Sequence, residues 1–376
     1  MNIDKADSHR GGHCGAADMP QYSRRPAATA HPTGDDRRRL LLGAAAVLAG
    51  CGGGDGNDAG VDRPPRLTVT VEGLQGRVVR RLRPGSLGLL AATDAGVYWR
   101  EAGVWQPLGL AGRTVLDLVQ RADNSLLAST QEDGLQVAAS PGAPWAALPN
   151  DFGGPAGREP AFALLLDGPR LLATHAYGVA ESFDGGRRWR PLARGWQMVG
   201  TEWDALTVAP TGEIWFGGQN AIEELVLARR DAVTGAITEW SRLMRSPSAV
   251  KSVRLVPETP ARALVAGEGG IVQTMDGGRS WQAVLLNDSG FHFDVQRDPQ
   301  RPQRWVTATW SKTDAPQPLR VAVSDDDGAT WRALPGHGDA FFFGGARSQH
   351  VAVEQGRTVW RFGLDGGGVA RVEIGL

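Results

Sequence analysis

Three eight-residue segments place a hydroxyl, a carboxylate, a glycine and an indole at the same relative positions. Each follows the pattern Ser/Thr-x-Asp-x-Gly-x-x-Trp, at residues 182–189, 274–281 and 324–331. In a tight hairpin the aspartate accepts backbone N–H bonds, the glycine adopts positive φ and the tryptophan covers the turn. The pattern predicts structural roles for Ser182, Asp184, Gly186, Trp189, Thr274, Asp276, Gly278, Trp281, Ser324, Asp326, Gly328 and Trp331. Calcium binding by the three aspartates is the alternative.

The other nucleophilic and metal-ligating side chains lack the spacing of a catalytic or metal site. Two cysteines are too few for a disulfide framework or a thiolate metal cluster. The histidines that follow residue 51 are isolated from one another, at His175, His292, His337 and His350. Neither a Gly-x-Ser-x-Gly elbow nor a phosphate-binding loop occurs in a strand-to-helix context. We therefore predict no metal and no cofactor.

Ligand recognition is expected at loops whose aromatic and charged residues the hairpin pattern does not explain. Three segments qualify, residues 150–159, 195–204 and 309–318. Aromatic rings beside carboxylates suit a sugar ring or a peptide. With a short loop at residues 175–177 added, the candidate ligand-binding residues are Asp151, Arg158, Glu159, His175, Tyr177, Trp196, Glu202, Trp203, Trp310, Lys312 and Asp314. The alternative is that the three tryptophans pack neighbouring sheets.

A repeated strand unit is expected to position these loops. From about Leu67 the chain repeats apolar strands with two-residue alternation, Gly-rich turns and a closing tryptophan, every 40 to 51 residues. This length is typical of a four-stranded propeller blade. The closing tryptophans are Trp105, Trp145, Trp189, Trp240, Trp281 and Trp331. With a last unit over 341–376, the sequence predicts an all-β, seven-bladed β-propeller with four-stranded antiparallel blades over residues 67–376.

The eight-residue pattern, in register with this repeat, resembles the Asp-box, or bacterial neuraminidase (BNR) repeat. Such repeats are found in sialidase-like propellers and in the photosystem II assembly factor family, and the resemblance implies their fold. A sialidase also needs an arginine triad, a Tyr-Glu nucleophile and an acid-base Asp. Residues 80–84 are only a loose echo of its Arg-Ile-Pro motif, and Tyr98 and Tyr177 lack a nucleophile setting. The resemblance therefore implies the fold without sialidase activity.

The first 66 residues indicate export and lipid anchoring. Arg37, Arg38 and Arg39 precede an apolar run of about a dozen residues, which is too short for a stable membrane span. The arginines resemble a twin-arginine signal, and Leu-Ala-Gly-Cys at 48–51 resembles a bacterial lipobox. We predict a signal peptide over residues 1–50, acylation of Cys51 and a flexible Gly/Asp-rich tether over 51–66. The expected location is the bacterial cell envelope, at the periplasmic face or outer membrane.

The overall charge argues against a nucleic-acid partner. Basic and acidic residues number 40 and 41, so the net charge of −1 gives no electrostatic footprint for nucleic acid. We predict a monomeric binding or assembly-scaffold module for a protein or glycan ligand, meeting the membrane through its N-terminal lipid only. The alternative is a glycoside hydrolase of the sialidase or xyloglucanase type, which needs two carboxylates about 5 to 10 Å apart. A sensor subunit of an envelope complex is a third interpretation.

Overall fold

Strands make up all of the regular structure that is described. The computed structural model describes residues 67–86, 88–150, 152, 158–194, 204–220, 224–243, 249–311, 313, 315–335, 341–342 and 345–375. Every regular element in these ranges is a β-strand. A helix with the length and apolarity to cross a bilayer does not occur in them.

The strands follow one another at short intervals along the chain. In the first half they are β1 (Leu67–Gly73), β2 (Val79–Gly85), β3 (Gly88–Thr93), β4 (Gly96–Glu101), β5 (Val104–Gly109), β6 (Val115–Gln120), β7 (Leu126–Thr130), β8 (Gly134–Ala138), β9 (Trp145–Ala147), β10 (Ala161–Asp167), β11 (Arg170–His175), β12 (Gly178–Ser182), β13 (Arg190–Arg194) and β14 (Ala205–Val208). In the second half they are β15 (Ile214–Gln219), β16 (Leu225–Arg230), β17 (Ile237–Trp240), β18 (Val250–Val256), β19 (Thr259–Thr274), β20 (Gln282–Arg297), β21 (Trp305–Ser311), β22 (Gln317–Pro318), β23 (Arg320–Ser324), β24 (Arg332–Pro335), β25 (Phe341–Phe342), β26 (Ala346–Glu354), β27 (Arg357–Leu364) and β28 (Gly368–Ile374).

Five of the sheets are four-stranded and antiparallel. Four of these consist of consecutive strands, β2 to β5, β6 to β9, β10 to β13 and β14 to β17. The fifth has the order β1-β28-β27-β26, with Leu67 paired to Ile374, so the first described strand completes the last sheet. This closure leaves no open edge between the two ends of the domain. The fold is an all-β propeller with four-stranded antiparallel blades.

The prediction of seven separate four-stranded blades is wrong in its count. Strands β18, β19, β20, β21, β23 and β24 form one six-stranded sheet beside the five four-stranded blades, and β22 pairs with β25. The cause is that β19 and β20, of 16 residues each, are continuous where separate strands were expected. Gly277 N donates to Ala261 O at 2.8 Å, so β19 doubles back, with positive φ at Gly269 and Gly270. Glu268 pairs with Phe291 where β19 doubles back, so β19 and β20 stay hydrogen-bonded and belong to one sheet.

The hydrophobic core lies between neighbouring sheets. Leu127 and Leu135, on β7 and β8, pack against Leu164 and Leu171, on β10 and β11, and all four are almost completely buried. Strand β7 is buried at every position because a sheet lies on each of its sides. Packing of this kind holds each blade against the next, and it fixes the positions of the loops at the two edges of the sheets.

Connections between antiparallel neighbours alternate between two edges of the sheets. One edge, which we call the hairpin face, carries the turns between first and second strands and between third and fourth strands. It holds the three eight-residue hairpins at 182–189, 274–281 and 324–331. The opposite edge, the loop face, carries the connections between sheets and the turns between second and third strands, including those at Gln131 and Tyr177.

Candidate functional site

A β-bulge recurs in the strands that surround a central channel, near the start of five of them and in the second half of β20. The register shifts at Val79/Arg81, Val115/Asp117, Ala161/Ala163, Val250/Ser252, His292/Val295 and Ala346/Ser348. A bulge bends its strand and redirects the side chain of the additional residue. The residues redirected in this way all line the channel, and they are Arg80, Leu116, Phe162, Lys251, Phe293 and Arg347. Distant parts of the chain thereby contribute side chains to one cavity.

The cavity opens towards the loop face. Gln131, from a loop-face turn, and Asp204, just before β14, complete its lining. We call this cavity of about 240 Å³ the channel mouth, lined by Arg80, Arg81, Leu116, Gln131, Phe162, Asp204, Phe293 and Arg347. The Lys251 Nζ and the Arg347 Cζ lie 5.4 and 5.6 Å from the Phe293 ring centroid. Cations over an aromatic face form a surface that suits both carboxylates and apolar groups.

One carboxylate, that of Asp204, is held between cations at the mouth. Arg81 Nη2 donates to its Oδ1 at 3.0 Å, and Lys251 Nζ donates to its Oδ2 at 2.6 Å. Burial raises the pKa of Asp204, but the charges of Lys251 and Arg81 outweigh it, so the pKa falls below its usual range. Asp204 therefore remains ionised near neutral pH and does not supply a proton.

The channel narrows below the mouth to a cavity of about 70 Å³. Two arginine-aspartate pairs of the same geometry lie along it, and Arg83, Arg254 and Asp294 line the cavity directly. Arg83 contacts Asp117 at 2.9 and 2.5 Å, and Arg254 contacts Asp294 at 2.8 and 2.5 Å. Each carboxylate also accepts the backbone N–H of the next residue at 2.8 Å. Arg83 and Asp117 therefore connect the sheets of β2 and β6, and Arg254 and Asp294 connect two strands of the six-stranded sheet.

Two of the predicted binding residues, His175 and Tyr177, form an aromatic group on the loop face. The buried His175 ring stacks on Phe152, with centroids 4.6 Å apart and an interplanar angle of 13°. Phe152 also contacts Trp189, at 4.7 Å. Tyr177 is exposed, and its backbone N–H donates to His175 Nδ1 at 3.3 Å. His175 is thus part of the packing beneath the loop, whereas the exposed Tyr177 remains available at the surface.

Arg158 and Glu159 lie in the connection between the second and third four-stranded sheets. The Arg158 backbone lies so close to Gly134 that a Cβ there would be 2.6 Å from the Arg158 carbonyl oxygen. Asn150 Nδ2 donates to the Glu159 carbonyl oxygen at 2.9 Å. Both predicted residues therefore pack through their backbone, and neither lines the channel mouth.

Trp310 packs behind the wall of the channel mouth. Its ring stacks on Phe291, with centroids 4.8 Å apart, and lies 6.1 Å from that of Phe293. A Cβ on Gly345 would approach Trp310 to 2.1 Å, so the indole fills the space beside that glycine. These contacts correspond to the packing alternative for this tryptophan, and they support the mouth through Phe293.

The other predicted binding and lipidation residues lie outside the described residues. They are Cys51, Asp151, Trp196, Glu202, Trp203, Lys312 and Asp314.

The three eight-residue hairpins share one set of hydrogen bonds. In each, the first hydroxyl donates to the aspartate at 2.8 to 2.9 Å and accepts the N–H of the glycine at 2.8 Å. Those glycines have φ of 88° or 89°, which favours glycine. Hydrogen bonds from Ser280 and Thr330 lower the pKa of Asp276 and of Asp326 to about 2. In the described chain no three His, Cys, Asp or Glu residues are grouped to hold a metal ion.

The tryptophans of these hairpins do not all make the same contact. Trp189 Nε1 donates to Gly186 O at 2.9 Å, and Trp331 Nε1 donates to the corresponding carbonyl at 3.2 Å. In the middle hairpin the carbonyl of Gly278 instead accepts from Trp240, which precedes it in the chain, at 2.8 Å. Trp240 packs against Trp281 with ring centroids 5.7 Å apart, so two indoles close this turn.

An arginine from a preceding strand or turn connects to each of the three hairpins. The acceptor is the carbonyl oxygen directly after the aspartate in all three cases. The contacts are Arg121 Nη2 to Gly185 O at 2.5 Å, Arg229 Nη1 to Gly277 O at 2.8 Å and Arg262 Nη2 to Asp327 O at 2.5 Å. We call these three contacts the arginine clamps. A charged donor on a partly buried carbonyl helps to hold successive parts of the ring together.

Sequence reasoning missed the channel mouth. Arg80 and Arg81 had been considered only as a loose echo of a sialidase motif, and Lys251, Phe293 and Arg347 had not been selected. The four cations lie near the start of β2, β18 or β26, and Phe293 lies where the second half of β20 begins to pair with β21. A cation or aromatic residue at the same early position of successive repeats is the signal that would have indicated them.

Comparisons with known proteins identify structural neighbours only. No family model matches the chain, and no curated protein matches it. YCF48 from Cyanidioschyzon merolae is 11% identical, with a TM-score of 0.58, covering 82% of this chain and 98% of that one. YCF48 bound to D1 peptide is 13% identical, with a TM-score of 0.57 and coverages of 85% and 97%.

Two neighbours of other kinds are longer than this chain. An extracellular domain assigned to a hybrid two-component system of B. thetaiotaomicron is 12% identical, with a TM-score of 0.60, covering 82% of this chain and 39% of that one. An ancestral GH74 enzyme is 13% identical, with a TM-score of 0.53 and coverages of 69% and 36%. These likenesses show the propeller fold.

Proposed function

We propose that this chain is an exported binding propeller that receives a segment of a protein partner at the channel mouth. The observation that carries the proposal is the convergence of the bulged residues Arg80 and Arg347 beside Phe162 and Phe293 at the mouth. Lys251, in the narrower cavity below, pairs with Asp204, and Arg347 Nε donates to Asp365 Oδ2 at 2.7 Å. Guanidinium and ammonium groups attract carboxylates, and the rings provide rigid apolar contact. The expected partner segment therefore combines acidic and apolar residues.

A protein partner fits the site better than a glycan or a glycoside. The mouth, at about 240 Å³, admits a few side chains and is smaller than most sites for drug-sized ligands. Asp204 stays ionised between Arg81 and Lys251, which does not suit the proton donor of a glycosidase. YCF48 bound to D1 peptide supports peptide recognition on this fold. The GH74 neighbour keeps glycoside hydrolysis as the alternative.

The experiment is a selection of displayed peptides on the purified chain. We expect enriched peptides to carry acidic and apolar residues, and to lose enrichment on Arg347→Gln but not on the exposed hairpin-face variant Arg357→Gln. A parallel screen with a glycan array and fluorogenic glycosides tests the alternative. Turnover of a glycoside, or peptides enriched equally on both variants, would contradict binding at the mouth.

Export and lipidation belong to the same proposal. The basic residues at 37–39, the apolar run and Leu-Ala-Gly-Cys at 48–51 support a lipidated N terminus at Cys51. Cys51→Ala should move the protein from the membrane fraction to the soluble envelope fraction. A double variant that replaces both arginines by lysine, Arg37→Lys and Arg38→Lys, should block twin-arginine export. Absence of acyl chains on Cys51 in mass spectrometry of the purified protein would remove the anchor from the proposal.

A further inference from the structure

The chain that precedes the propeller enters it at the hairpin face. Leu67 begins β1 and pairs with Ile374 at the end of β28. The chain leaves β1 at the opposite edge, near Gly76, whose N–H donates to Gly366 O at 2.9 Å. Because strand direction alternates in the sheet, the start of β1 lies at the edge that carries the hairpins.

Exposed apolar side chains are concentrated on the same face. Six of the eight exposed large apolar residues among the described ranges lie in or beside hairpin-face turns, namely Val104, Phe183, Val233, Ile237, Met275 and Val353. Single exposed apolar residues are ordinary, so the information lies in their uneven distribution. Phe183 and Met275 are 63% and 55% exposed and occupy the same position of two of the hairpins, next to the aspartate.

Exposed arginines accompany these apolar tips. Arg187 and Arg188 follow Phe183 in its hairpin, and Arg279 follows Met275 in the other. In the third hairpin the corresponding position is Asp325, which pairs with Arg304 and Arg332 and does not present an apolar group. An apolar tip next to cations is the combination that binds the interface between lipid headgroups and acyl chains, where phosphates meet the arginines.

We infer that the hairpin face rests on the surface of a lipid bilayer, with Phe183 and Met275 at the headgroup level, and that the channel mouth faces away from the membrane. The inference relies on the proposed lipid anchor for its setting and adds a second membrane contact, through the folded domain. Sixteen positions separate Cys51 from Leu67, so the contour length of the backbone between them is at most about 58 Å. This length limits how far from the bilayer the start of β1 can lie.

The first experiment measures the depth of each face on the lipidated chain. Phe183→Cys, Met275→Cys and, as the loop-face control, Tyr177→Cys are labelled with an environment-sensitive fluorophore in vesicles that contain brominated acyl chains. The acylated Cys51 does not take the label. We expect quenching at positions 183 and 275 and none at 177. Quenching at 177, or at none of the three positions, would overturn the inference.

A second experiment separates this inference from the anchor. The Cys51→Ala chain is mixed with vesicles of phosphatidylethanolamine and phosphatidylglycerol at a 3:1 ratio, and its partition is measured by flotation. Replacing Phe183 and Met275 together by serine should lower the partition coefficient about tenfold, because two apolar side chains lose burial. Tyr177→Ser serves as the matched control and should change nothing. Equal partition of the double variant and the control would overturn the inference, even if the lipid anchor is real.

Discussion

His292 makes the stability of the propeller depend on pH in a calculable way. The ring is almost fully buried, at 1% exposure, and burial lowers its pKa from 6.5 to about 4. Thr307 Oγ1 donates to Asp294 O at 2.6 Å, so His292 Nδ1 carries the proton and donates to Thr307 Oγ1 at 3.0 Å. Its Nε2 has no hydrogen-bond partner in the described chain, so protonation would add a buried, unpaired N–H.

The sign and size of the effect follow from linkage between protonation and folding. Because the folded pKa lies below the unfolded one, the contribution of neutral His292 is complete above pH 6.5 and is lost as the pH falls towards 4. Between pH 7 and pH 5 the free energy of unfolding should fall by about 2 kcal/mol from this residue alone. His350, whose pKa burial also lowers to about 4, adds to the loss in the wild type.

The assay is urea unfolding of the wild type and His292→Leu at pH 7 and pH 5. The loss of stability on acidification should be about 2 kcal/mol smaller in the variant, because its position 292 no longer titrates. If leucine prevents folding, His292→Gln provides the same comparison with a donor retained. An identical loss in variant and wild type would refute a buried, neutral His292.

Two further predictions concern the hairpins. Arg229→Ala removes the arginine clamp on Gly277 O and the guanidinium that lies 5.5 Å from the Trp215 ring centroid. Thermal unfolding should show that the free energy of unfolding falls by about 1 to 2 kcal/mol. The control Arg357→Ala, at an exposed arginine, should leave it unchanged. Asp326→Asn should flatten the decline of stability between pH 4 and pH 2 in acid titration. This is because the lowered pKa of Asp326, about 2, gives a contribution that is present above pH 3.8 and lost below it. A variant that declines as steeply as the wild type would contradict that role.

Local patterns predicted the hairpins better than they predicted the assembly of sheets. The contacts of Ser182, Asp184 and Gly186 lie within a few residues, and spacing alone implied them. The blade count depended on whether the hydrogen bonding between β19 and β20 stops near Gly269 and Gly270 or continues past them. The residue types at these positions do not predict which of the two occurs. The pairing of Leu67 with Ile374 joins residues from opposite ends of the domain, which repeat length does not reveal.

The channel mouth is the part of the site that the sequence concealed. Arg80, Lys251 and Arg347 are far apart in the chain and meet only because bulges at equivalent places turn their side chains inwards. Trp310 shows the reverse. It was predicted to bind ligand because it lies in a loop segment, but it packs behind Phe293. Residue type selected Trp310 and passed over the three cations, because only tertiary geometry determines which side chains reach the axis.

The most direct test of binding at the mouth is a calorimetric titration with an acidic peptide enriched by selection on the wild-type chain. The titration is repeated with Arg347→Gln and with Arg357→Gln, which changes an exposed arginine on the hairpin face. We predict that Arg347→Gln weakens the peptide about tenfold or more, because a charge-assisted contact is lost, and that Arg357→Gln binds as the wild type does. Equal affinity of all three proteins, or an equal loss in both variants, would contradict recognition at the channel mouth.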